Sequence, residues 1–128
     1  MVNINWQFQA AIPGGPSLSI SQPAISVDAY DVVAATIHAT TSNVELAIQP
    51  SGTAGKVVLL LLSSSQYDTG ISYTVDALTD THVLDGPLML VGTGAIGLLH
   101  SGASPQKLVV SNTLAKDINV QVVVGRKL

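Results

Sequence analysis

The 128-residue chain has no cysteine and a net charge of −3, and its length suits one domain whose core needs neither disulfides nor thiolate-bound metal. Its five basic residues are scattered, which argues against a nucleic-acid or anionic-membrane footprint; the longest apolar run, residues 57–62, is about a third of a membrane-spanning helix. Only 10% of residues are charged, against about 25% in ordinary soluble domains, so either uncharged polar side chains cover the exterior or much of it is hidden against other subunits.

In chain order, the first element expected is a half-buried strand over residues 2–12. Val2, Ile4, Trp6, Phe8, Ala10 and Ile12 are apolar, and the positions between them are mainly Asn and Gln. Pro13-Gly14-Gly15-Pro16 ends it, because proline cannot donate to a ladder and the glycines permit a sharp bend. Further strands are expected at 17–21, 24–30, 32–40 and 43–49, followed by a loop over 50–55. Residues 56–64 are apolar on both faces, as in a strand in the middle of a sandwich. A turn at 67–70 leads to strands near 71–77, 82–84, 87–91 and 95–100, with a break at Asp85-Gly86-Pro87. Two more strands, 106–112 and 118–125, are expected to form a closing hairpin joined by residues 112–117. Helical periodicity is almost absent. The pattern predicts an all-β fold, an antiparallel β-sandwich or jelly roll of about eight to ten short strands. Residues 1–128 form a single domain, with 1–16 as an N-terminal strand arm on a Pro-Gly hinge.

Four groups of residues are candidates for chemistry. Gly92-x-Gly94-x-x-Gly97 comes after a strand, and Asp117 lies about twenty residues on, as in a dinucleotide site. Such a site also needs a helix directly after the strand and a parallel βαβ unit, whereas Gly102 and Pro105 interrupt the segment beyond Gly97; the stretch reads as a glycine-rich hairpin in which Gly92-Thr93-Gly94 takes the positive backbone dihedrals of a tight turn. Asp76, Asp80, His82 and Asp85 match no calcium-loop spacing and read as a solvated loop. Asp28 and Asp31, on either side of Tyr30, are assigned to turn chemistry and solubility.

His38, His82 and His100 occur singly, without an H-x-H or HExxH pair. A Ser-His-Asp triad is assembled in space and leaves no necessary trace in sequence, but no G-x-S-x-G elbow is present. Neither an enzyme nor a cofactor is expected, and no catalytic, cofactor-binding or metal-binding residue is assigned. Tyr67 and Tyr73, near a loop, are the aromatics free to stack on a glycan.

The only Trp and the only Phe both lie in the first strand. Such a strand either packs in its own core or crosses to a neighbour's sheet, which makes Ile4, Trp6 and Phe8 the candidate subunit-interface arm.

The stretches "TSNVELAIQPSGT" and "KLVVSNTLAKDINVQVVVGR", with the small size, low charge and lack of cysteine, resemble the capsid decoration or cement proteins of tailed bacteriophages. The resemblance is one of type and rests on no diagnostic motif. It implies a non-enzymatic virion structural protein, a homo-oligomer made in the host cytoplasm that touches the major capsid or another virion protein and stabilises or decorates the capsid. No contact residue carries over. The alternatives are a carbohydrate- or receptor-binding β-sandwich module and a small hydrolase or isomerase on a cupin-like barrel; the barrel would show clustered metal histidines.

Overall fold

Two-residue alternation produces strands along most of the chain in the computed structural model, which describes residues 2–21, 24–49, 56–100 and 104–127. The strands are β1 (Val2–Ile4), β2 (Gln7–Ala11), β3 (Ser17–Ser21), β4 (Ile25–Val27), β5 (Ala29–Ile37), β6 (Thr41–Ala47), β7 (Lys56–Ser64), β8 (Ile71–Val75), β9 (His82–Val83), β10 (Leu88–Val91), β11 (Lys107–Asn112) and β12 (Ile118–Lys127); one helical turn, α1 (Thr93–Ile96), comes after β10. The loop expected over 50–55 lies outside the described residues.

The chain is predominantly β, and among the described residues every strand pair is antiparallel. Two four-stranded sheets, ordered β10-β7-β12-β5 and β6-β11-β8-β9, form the body. Their facing sides share one hydrophobic core in a sandwich-like arrangement, with Leu62, Val120 and Val122 from the first sheet meeting Ile71, Val75 and Leu108 from the second. The pairing is nested: β5 pairs β12, β6 pairs β11, β7 pairs β10 and β8 pairs β9, while β12 and β11 also pair β7 and β8.

β7 occupies the expected 56–64, and Val57, Leu59, Leu60 and Leu62 are buried. Three expectations are corrected. Residues 2–12 form two strands, because Asn5 and Trp6 leave the ladder between β1 and β2. Residues 106–125 are not a hairpin: β11 and β12 belong to different sheets, and residues 113–117 turn the corner between them. The strand expected at 95–100 is replaced by α1 and further turns. Gly92, at φ +93°, bends the chain off β10, and Ile96 and Leu99, three residues apart, then reach the core while Leu98 stays 81% exposed. A three-residue spacing fits a helical turn, not a pleat.

Candidate functional site

The N-terminal segment folds in two parts. In the first, β1 pairs β4 (Val2 with Val27, Ile4 with Ile25). This ribbon lies on the outer face of the first sheet at Gly125. A Cβ at Gly125 would meet Val27 Cγ1 at 3.0 Å, Ile4 Cδ1 at 3.2 Å and Leu59 Cβ at 3.3 Å, so glycine leaves room for the ribbon to seat.

In the second part, β2 and β3 form a hairpin beyond the half-buried Trp6. Pro13-Gly14-Gly15-Pro16, expected as a joint, is the hairpin's tip: Gly15 N–H donates to Ile12 C=O (2.8 Å) and Gly14 sits at φ +74°, the type II turn that a Pro-Gly pair favours. Phe8 faces Ile20 and Ala10 faces Leu18 across the ladder, so these four share one face, and Gln7, Gln9, Ser17 and Ser19 line the other. Residues 11–20 are exposed without exception. The candidate arm residues therefore divide: Ile4 anchors the ribbon, Trp6 sits at the junction, and Phe8 belongs to the projecting hairpin.

A row of apolar side chains crosses the outer face of the first sheet beside the seated ribbon. Met89 pairs Leu61, Leu61 pairs Val123, and Val123 pairs Val32, placing all four on one line. Farther along this face is an open trough of about 590 Å³ lined by Ala34, Thr36, Ser63, Ser65, Asn119 and Gln121, among others. Thr36 Oγ1 donates to Asn119 Oδ1 at 2.9 Å. The trough offers hydroxyls and amides, and no aromatic side chain lines it.

The residues weighed for chemistry are dispersed. Among the described residues no three His, Asp or Glu side chains converge as a metal site would require. His82 lies against the Tyr73 ring, centroids 5.2 Å apart. Asp76 pairs with His100: its Oδ2 lies 2.6 Å from His100 Nδ1, and its Oδ1 accepts the N–H groups of Gln106 (2.8 Å) and Lys107 (2.9 Å). These contacts hold Asp76 at φ +51°, a conformation Asp tolerates better than most residues, and clasp the end of β8 to the start of β11. Ser104 shares a pocket of about 250 Å³ with His100, but its Oγ accepts the Val57 N–H (3.4 Å), and no hydrogen bond joins it to the imidazole.

Asp117, the acid spaced for a ribose, accepts the Ala39 N–H at 2.8 Å and lies 3.4 Å from His38 Nδ1. The backbone N–H first, and then the imidazole, hold its carboxyl below the ordinary value. The glycines at 92–97 come after β10, an edge strand antiparallel to β7, so the parallel unit of a dinucleotide site is not what surrounds them.

Tyr67 and Tyr73 are not free to stack on a ligand, since both pack on the core. Tyr67 Oη accepts the Ser64 N–H at 3.2 Å, and burial pushes the Tyr73 phenol above its usual pKa. Tyr30, which no pattern in the sequence singles out, is exposed, as is Phe8. Asp31 lies within β5 and pairs with buried Arg126 at 2.6 Å, a role beyond solubility. The Arg126 guanidinium also donates to Ile48 C=O at 3.1 Å.

Among the described residues no helix is long and apolar enough to cross a membrane. Comparison with known proteins gives no match: no family model fits the sequence, and neither a curated protein nor a solved structure matches the chain.

Proposed function

We propose that this protein is a non-enzymatic structural component of a virus particle, one that self-assembles and stabilises or decorates the capsid. The observation that carries the reading is the β2–β3 hairpin. It projects with an apolar face uncovered, and no ionisable side chain precedes Asp28. Exposed strand edges normally carry charges or prolines that discourage pairing with other chains. Here the only prolines of the hairpin are at its tip. A surface of this kind loses little to desolvation when another protein covers it.

The strand order supports the jelly-roll form of the sandwich. Nested pairs β5·β12, β6·β11, β7·β10 and β8·β9, rolled so that β12 meets β7 and β11 meets β8, are what two interlocked Greek keys produce. That architecture is used by capsid and lectin domains alike, so it favours a virion role only by analogy. The trough at Thr36, Ser63, Asn119 and Gln121 favours a second reading, a carbohydrate- or receptor-binding module. Without a stacking aromatic it has weaker support.

Mass spectrometry of density-purified particles of the virus whose genome encodes the chain tests the first reading. Its peptides should be present at many copies per particle. Their absence from clean particles, with the protein free in the lysate, would reject a structural role.

A further inference from the structure

We infer that the β2–β3 hairpin of one copy lays its apolar face on the outer face of the first sheet of a second copy, over the row Met89, Leu61, Val123 and Val32. This rests on the reading of the protein as a self-assembling component and adds the partner and the seat.

The hairpin needs a cover. Phe8, Ile12, Leu18 and Ile20 are 38–61% exposed, and β2 and β3 pack substantially against no other element. An isolated two-stranded hairpin is marginal in water, and three or more strands or a packed face are needed to hold it. The chain also exposes 7274 Å², against about 6,400 Å² for a compact monomer of its mass. The excess, roughly 850 Å², is close to one partner's share of a standard interface.

The seat matches in chemistry and size. In the outer row Val32 is 52% and Met89 38% exposed. Four strands about 4.8 Å apart make that row about 14 Å wide, and the strip from Phe8 to Ile12, at about 3.3 Å per residue, is about 13 Å long. Neither the row nor the hairpin carries a charge, so contact strands no unpaired ion. The face already accepts this kind of cover, since the β1–β4 ribbon of the same chain seats on the adjoining row at Leu59 and Gly125. The occupant is a second copy because the chain's own hairpin packs substantially against no other element, so that Val32 and Met89 of its own row stay exposed and Leu61 and Val123 half-buried. Hairpin on sheet is a heterologous contact, which closes into a ring or propagates.

The chain's lack of cysteine permits a clean cross-linking test. Leu18→Cys and Val32→Cys, both at exposed positions, are prepared separately, mixed and oxidised. The inference predicts a disulfide-linked dimer in the mixture and none in either variant alone. It also predicts that Phe8→Asp with Leu18→Asp reduces the native assembly to single chains.

A link within Leu18→Cys alone would place hairpin on hairpin. A link formed only inside a chain carrying both cysteines would place the hairpin on its own sheet. Either result overturns the inference, as does no link at all. If the protein remains an oligomer without the link, only this seat is wrong. If it is monomeric and unlinked, self-assembly fails with it, leaving the hairpin for another virion protein.

Discussion

Replacing Asn112 by leucine should destabilise the fold by about 3 kcal/mol, a large fraction of the 5–15 kcal/mol typical of a domain. Asn112 is the last residue of β11 and only 1% exposed, at the corner where the chain leaves one sheet for the other. Its Nδ2 donates to Lys116 C=O at 2.8 Å and lies 3.3 Å from both Ile37 C=O and His38 C=O, while its Oδ1 accepts the Leu114 N–H at 3.0 Å. One side chain therefore satisfies backbone groups from β5, the segment after it and the corner itself. Leucine would fill similar space and leave those groups unpaired, at about 1–3 kcal/mol for each group that water cannot reach. Urea denaturation should show a lower midpoint with an unchanged slope. A loss under about 1 kcal/mol would mean that solvent reaches the corner when the amide is absent.

Neighbouring residues on β7 should respond differently to truncation. Leu62 is wholly buried in the inner row Leu88, Leu62, Val122 and Val33, so Leu62→Ala should cost about 3 kcal/mol through lost transfer energy and a residual cavity. Leu61 faces outward in the row with Met89, Val123 and Val32, and Leu61→Ala should cost the isolated fold less than about 1 kcal/mol. It should instead weaken self-association. Thermal denaturation of both variants, with light scattering of Leu61→Ala, separates the two faces. Equal destabilisation would show that the outer row is covered within a single chain.

The legibility of this fold in its sequence is set by what alternation can encode. β7 is readable to its ends because apolar residues on both faces are bounded by Lys56 and the serines at 63–65. Residues 2–12 show one apolar face equally clearly, but a period of two does not say whether that face is covered, so a core strand and a projecting arm look the same. The Pro13-Gly14 pair carries the signature of a type II turn, and the strand after it makes that turn a hairpin tip. α1 escapes notice because glycines interrupt the segment and only Ile96 and Leu99 mark its spacing.

The corner at 113–117 reads as a hairpin because two consecutive strands with a short link look alike whether they pair or part to different sheets. The available clue is Asn112, a polar residue in the inward series Leu108, Val110, Asn112. The Asp76–His100 clasp joins residues 24 positions apart, which no local pattern reveals.

The central claim is that this sparsely charged exterior meets other protein. Sedimentation equilibrium of the full chain at tens of micromolar, in low and in high salt, tests it most directly. The proposal of self-assembly predicts an oligomer whose mass is the same in both, because uncharged surfaces are little affected by screening. A single-chain mass in both, in a solution that stays clear as it is concentrated, would contradict it.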